Sequence, residues 1–433
     1  MLKPYLIALL TAIPGSVTSA QLSHDDTLHQ ASPESVGLLP APLHAMQINI
    51  TSYEKPANYG ASSYNEIHPI QPSSAVIVAH NRAIVSRFAH GKASLYASVN
   101  GTTLPPSQQE PAHPDTIYDL ASLTKLFTTI AALRQLDAGR LALNATVASY
   151  LPTFAAQGKQ SITILMLLTH TSGFAPDPSP PLYDPVYNSV AERRAAILNQ
   201  PLADPPGSTF TYSDLNFMTL GLVLESITDT PLDELVAEYT ATLGMHDTFF
   251  NRGNVEHLAV YSRIAAQEFQ IAALGGDLEP VRPQPVRGTV HDENAWALDG
   301  VSGHAGLFST VDDTAILCQM ILNNGVYAGV RVLSEHAVDL IFHDFNARFP
   351  GDAHGLGFEL DQEYTAGPMA SPKTASHTGF TGTSIVIDRP SNTFFVLFAN
   401  RVHPSRNWSS NNIVRKALGY WVAKALGRDV AFP

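Results

Sequence analysis

The run Ser122-Leu123-Thr124-Lys125-Leu126-Phe127-Thr128-Thr129-Ile130-Ala131-Ala132-Leu133-Arg134-Gln135-Leu136-Asp137-Ala138 decides how the chain is organised. Leu126, Phe127, Ile130, Leu133 and Leu136 recur at helical spacing, which predicts an amphipathic helix. That helix stands between two strand-rich regions. Upstream, Ala75-Val76-Ile77-Val78-Ala79 and Ala83-Ile84-Val85-Ser86-Arg87-Phe88 flank the polar His80-Asn81-Arg82 and read as a hairpin. Far downstream, Ser384-Ile385-Val386-Ile387-Asp388 and Thr393-Phe394-Phe395-Val396-Leu397-Phe398 flank Arg389-Pro390-Ser391-Asn392, a second hairpin. From Asn412 to Leu426, Ile413, Val414, Ala417, Leu418, Trp421 and Val422 share one helical face. The pattern predicts an α/β (α+β) sandwich: an antiparallel sheet formed by both chain ends and flanked by helices, plus a mainly helical subdomain.

With 433 residues, 45% of them hydrophobic, the chain can bury a large core. Its 38 Asp+Glu against 25 Lys+Arg give a formal net charge of −13, a surface that repels phosphate backbones and argues against a nucleic-acid partner. Residues 1–20 read as a signal peptide: Lys3, an apolar run from Tyr5 to Ile13, then Thr18-Ser19-Ala20 before Gln21. The run is shorter than the ~20 residues a bilayer span needs, and none of that length follows. The expectation is a secreted, extracellular protein with no membrane span in the mature chain. Sequons at Asn49, Asn100, Asn144 and Asn407 fit a eukaryotic secretory route. Cys318 is the sole cysteine, which excludes an intrachain disulfide and reads as a core residue. Residues 21–70 show no clear period and read as a peripheral N-terminal segment. The Pro-rich stretch 175–187 reads as a surface loop, a candidate lid.

Ser-x-x-Lys occurs twice, at Ser52–Lys55 and Ser122–Lys125. Pro56 disfavours helix at Lys55 and so disqualifies the first pair. Ser122 opens a helix, where side chains at i and i+3 are neighbours and Oγ can meet Nζ. The helix N-terminus also favours a developing alkoxide. The competing reading is a capping Ser beside a solvated Lys. As a base, an unshifted Lys would need about 4.6 kcal/mol to become neutral at pH 7, so a second proton-shuttling group is expected, a task a Tyr can serve. The 17 His residues show no His-Glu-x-x-His or paired Cys/His spacing, so no metal or cofactor is expected. There is no Gly-x-Ser-x-Gly elbow either.

Ser122-Leu123-Thr124-Lys125, Tyr212-Ser213-Asp214 and His377-Thr378-Gly379 follow one another as do the three motifs of the serine β-lactamase/penicillin-binding-protein family. The chain resembles the class C and esterase-like branch of that family most. Leu167–Phe174, Val290–Ala295 and Gly303–Thr310 also look like stretches of that branch. The resemblance covers about residues 70–425 and frames residues 71–433 as one serine hydrolase domain of β-lactamase/transpeptidase-like fold.

By position, the resemblance implies that Ser122 is the nucleophile, and that Lys125 and Tyr212 take its proton and return it to the leaving group. It makes Ser122 and Phe380 N–H groups the oxyanion hole, has Gly379 admit the substrate, and sets His377 in the pocket. Two departures bear on substrate. Asp214 stands where the family has Asn, and if ionised it would raise the Lys125 pKa. His377 stands where β-lactamases have Lys, removing a fixed positive charge near pH 7. The expected reaction is hydrolysis of a small ester, amide or peptide through an acyl-Ser122 intermediate. D-peptidase, β-lactamase and transesterase activities share the site as alternatives, and a catalytically silent binding protein is the rival of another class. His170, in Thr-His-Thr-Ser-Gly, reads as structural; His304 fits either role.

Overall fold

The computed structural model describes residues 26–59, 67–255, 258–270, 282–408 and 410–433. The stretch 1–20 read as a signal peptide lies outside them. Both predicted hairpins form, and they share one sheet. Its strands are β1 (His29–Gln30), β2 (Ser73–His80), β3 (Ala83–Ser94), β4 (Glu110–Pro111), β5 (Glu359–Leu360), β6 (Thr374–Thr378), β7 (Ser384–Asp388) and β8 (Thr393–Ala399). The order is β1-β3-β2-β8-β7-β6-β5, with β4 on β3, so the first hairpin lies directly against the second. Ile77 pairs with Val396, and His377 with Ile385. All pairings are antiparallel except β1 with β3, which is parallel and departs from the expected all-antiparallel sheet.

Strand β2 reads as a near-continuous apolar run because both its faces are covered. Val76 and Val78 join Phe395, Leu397 and Val386 on one side; Ala75, Ile77 and Ala79 join Phe394, Val396 and Phe398 on the other. Fully burying one such Val, Leu, Ile or Phe is worth roughly 1.5–3 kcal/mol, so the central strands are the anchor of the fold.

The first side is closed by two helices from opposite ends of the chain, α1 (Pro40–Ser52) and the C-terminal Asn412–Ala425. This corrects the expectation of a peripheral N-terminal segment. Pro40 begins α1, and Leu43, Met46 and Ile50 are buried against the sheet layer. The stripe is only three residues wide, and exposed Leu39 and Ile48 blur its period.

The other side carries α2 (Thr124–Asp137), α3 (Asp214–Thr228), α4 (Leu232–Thr242) and α5 (Val311–Leu322); the C-terminal helix is α6. Helix α2 is central, with Leu126, Phe127, Ile130 and Leu133 buried, and it packs on α3 and α4. Helix α5 packs under β8 and holds Cys318, whose thiol is pushed up by burial.

The stretch 175–187 forms no regular element, yet it is anchored. Leu182 is buried and its N–H donates to Asn294 Oδ1 at 2.8 Å, while the Pro176 carbonyl accepts from Asp214 N–H at 2.8 Å. Among the described residues no helix is long and apolar enough to cross a membrane.

Candidate active site

Ser122, Tyr212 and His377 arrive from three elements and line one cavity of about 510 Å³. Ser122 lies in a 3-10 turn, Ala121–Leu123, that runs directly into α2. Ala121 holds φ +47°, a left-handed conformation that costs an Ala on the order of 1–3 kcal/mol. Asp119 enforces it: its Oδ1 accepts the Ala121 N–H at 2.8 Å and its Oδ2 accepts the His291 N–H at 2.6 Å. Sequence reading missed Asp119, because its second partner lies 172 residues away.

Lys125 is fully buried. Its Nζ lies 3.0 Å from Ser122 Oγ, 2.7 Å from Asp214 Oδ1 and 3.2 Å from the His304 carbonyl. An ammonium satisfies all three acceptors with its three N–H bonds. A neutral amine would keep the bonds to Asp214 and His304 and turn its lone pair to the Ser122 O–H. The heavy-atom geometry therefore suits proton transfer in either direction, and the charge state decides. Burial alone would push the Lys125 ammonium down, but Asp214 and then Tyr212 outweigh it and hold it well above its ordinary range. At rest Lys125 is an acid.

Tyr212 sits with its ring 4.9 Å from Lys125 Nζ, and its hydroxyl feels both Lys125 and Ser122. Burial pushes its phenol up to about 12, against the pull of the Lys125 ammonium, and Asp214 adds to the rise. The segment that carries it is held by His170. The His170 Nδ1 accepts the Ser213 N–H at 3.1 Å and lies 3.2 Å from Asn216 Nδ2, while its ring packs 4.6 Å from that of Tyr212. Burial, then His354 and Lys125, drive the His170 imidazole well below its usual range. A neutral ring accepting at Nδ1 is the structural part read from sequence.

On β6, His377 Nδ1 donates to the Thr378 carbonyl at 2.8 Å, so the buried Nε2 is a bare acceptor without a protein partner. Burial, aided by Lys125, lowers His377 to about 3; it carries no charge at neutral pH. Gly379 lines the cavity and has a packing reason as well. A Cβ there would meet Thr383 Oγ1 at 2.0 Å and the Leu120 carbonyl at 2.4 Å. Gly379 thus lets β6 close onto the nucleophile's turn, setting the distance between Ser122 and Phe380. Phe380 is 47% exposed at the cavity mouth, beneath the Arg401 guanidinium at 4.4 Å.

Sequence reading also missed Arg415, on α6. It lines the cavity, is buried, and donates to the Gly379 and Thr383 carbonyls at 2.9 and 3.0 Å, leaving its Nε without a protein partner. Burial lowers it to about 9, still a cation at neutral pH. A fixed positive charge is therefore present after all, on the helix rather than the strand. Of the sequons, Asn100, Asn144 and Asn407 are exposed. Asn49 is half-buried in α1 and its Oδ1 accepts from the Trp421 indole at 2.9 Å, which disfavours it as a glycan acceptor.

The sequence profile of the beta-lactamase family matches residues 68–419. A protein of Salmonella agona named "Putative D-alanyl-D-alanine carboxypeptidase" is 34% identical over 404 residues, covering 87% of this chain and 86% of its own. Among solved structures, EstCE1, a hydrolase with promiscuous acyltransferase activity, superposes with a TM-score of 0.64 at 21% identity, over 88% of this chain and 99% of its own. A class C beta-lactamase from Rhodobacter sphaeroides does so with a TM-score of 0.61 at 19% identity, over 89% and 99%.

Proposed function

Because the chain belongs to the beta-lactamase family and is a serine hydrolase of it, we propose that it cleaves a small ester or amide through an acyl-Ser122 intermediate. The observation that carries this is the 3.0 Å approach of Ser122 Oγ to Lys125 Nζ at the wall of a cavity that Tyr212 also lines. Ser122 attacks the carbonyl once the Lys125–Tyr212 pair has lost one proton. The pair takes the Ser122 proton, the Ser122 and Phe380 N–H groups hold the oxyanion, and the proton passes on to the leaving group. Water then repeats the sequence to free Ser122. Such interacting groups titrate as a pair, so activity follows the pair's own pKa. With both members held protonated, activity rises with pH beyond neutrality.

A second reading, D-peptide carboxypeptidase, is favoured by the Salmonella relative's name and by the buried Arg415 cation on the cavity wall, which can meet a substrate carboxylate. A chromogenic short-chain ester, a chromogenic cephalosporin and a D-Ala-D-Ala peptide, assayed side by side, separate these readings. Adding an acceptor alcohol reveals acyl transfer as faster loss of the acyl-enzyme. Ser122→Ala should abolish both turnover and labelling by a serine-reactive probe; labelling that persists at another residue would refute the assignment.

Secretion and glycosylation at Asn100, Asn144 and Asn407 belong to the same reading. The motivation is the apolar Tyr5–Ile13 run and the exposure of those three side chains. Mass spectrometry of culture medium should find a chain beginning near Gln21, and a chain retained inside the cell with Met1 intact would count against it.

A further inference from the structure

The stretches Val290–Ala295 and Gly303–Thr310 stood out in the sequence, yet only the His291 N–H and the His304 carbonyl have a role in the site above. The structure joins them at His304 and at the apolar contact of Val290 and Ala295 with Ala305. The His304 Nε2 lies 3.0 Å from Asp292 Oδ1 and its Nδ1 2.7 Å from Ser302 Oγ, all out of contact with solvent on the His304 side. The loop reaches α3 because residue 303 is Gly: a Cβ there would meet the Phe217 carbonyl at 2.1 Å. Thr128 of α2 donates to the Gly303 carbonyl at 2.8 Å, and the His304 carbonyl accepts from Lys125. Ligand atoms of Asp214, Asp292 and His304 all lie within 4.8 Å of one another. Behind the nucleophile's lysine there is thus a compact second ion pair.

We propose that His304–Asp292 is a positioning pair for Lys125: it fixes the carbonyl that anchors Nζ and sets an imidazolium beside Asp214, so that Asp214 holds the Lys125 proton less tightly than it would alone. The electrostatics agree in sign. Burial works against the His304 cation, but Asp292 and Asp214 more than offset it and raise it. Burial pushes Asp292 up, yet His304 and the Ala295 N–H hold it well below the usual carboxylate range. The other groups facing this cluster are Tyr212, Asp177, Asp119, Tyr183 and the Arg282 cation, which feel Asp292 or Asp214, and the His170 and His377 rings, both lowered and neutral. Glu359, on the opposite cavity wall, also feels Lys125. His304 is the imidazole whose nitrogen lies within 4.8 Å of both Asp214 and Asp292.

The proposal rests on Ser122 acylation, which is established first by probe labelling of the wild-type enzyme. In His304→Gln the imidazolium is lost and Asp292 stays as an uncompensated anion; both changes favour the Lys125 ammonium. The pH limb of acylation should move alkaline by about one unit, about tenfold slower at pH 7. Adding Asp292→Asn to that variant should bring the limb back at least half-way. A wild type labelled at Ser122 together with a His304→Gln limb that does not move overturns the inference and leaves the proposed function standing. An unlabelled wild type refutes the proposed function instead. A measurement free of variants settles the inference separately: NMR of the wild type should find His304 carrying both ring protons in most molecules at pH 6.5, and a mostly neutral His304 overturns it.

Discussion

The two walls of the cavity are built on opposite principles. On the wall of α2 and α3 the groups that bear directly on Ser122 and Lys125 are engaged, while His170 Nε2, behind Tyr212, is buried without a protein partner. Lys125 Nζ has three acceptors, Asp119 clamps the nucleophile's turn, and His304, Asp292 and Asp214 form a closed charge cluster. On the wall of β6 and α6 buried polar atoms lack protein partners: His377 Nε2, Arg415 Nε and Asn411 Oδ1. The first wall is organised before substrate arrives, which is what electrostatic stabilisation of a transition state requires. The second wall offers hydrogen-bonding capacity that a substrate can take up, and unpaired buried groups of this kind confer discrimination. Apart from the Phe380 N–H, chemistry and specificity are thus divided between the helical subdomain and the sheet.

Variants on each wall should fail differently. The largest effect belongs to the first wall. Lys125→Met removes the proton acceptor and should lower acylation by about 10²–10⁴-fold, with substrate binding little changed. Pre-steady-state acylation kinetics check this, and a loss confined to KM would break the division. The second wall should show the reverse pattern. Arg415→Met should raise KM for carboxylate-bearing substrates by about 10–100-fold, the scale of a hydrogen bond to a charged group, while a neutral ester is spared. Equal losses on both substrates would mean that the Arg415 bonds to Gly379 and Thr383 only hold the strand end in place.

The division also explains what could be read from sequence. Both hairpins, α2 and α6 announce themselves by local period, since each buries a continuous face. The nucleophile and its lysine are three residues apart and visible for the same reason. Helix α1 was hidden because only Leu43, Met46 and Ile50 point inward. Asp119 and Arg415 were hidden because their roles exist only across long sequence separations, as in the 36 residues between Arg415 and Gly379. Gly379 was legible as the last residue of His377-Thr378-Gly379 but not in its packing reason, which depends on where Leu120 and Thr383 fall. The effect of Asp214 on Lys125 was foreseeable in sign from charge alone. Its strength required the 2.7 Å contact.

That contact is the centre of the account: Lys125 has the geometry of a base and is held in its acid form by Asp214. The direct test is the pH dependence of acylation in the wild type and in Asp214→Asn. Asp214 raises both Lys125 and Tyr212, so its removal makes each easier to deprotonate. The rising limb should move toward acid by about one unit, making Asp214→Asn about tenfold faster than wild type at pH 7 while the two converge at high pH. A limb that stays in place, or one that moves alkaline, would contradict the account.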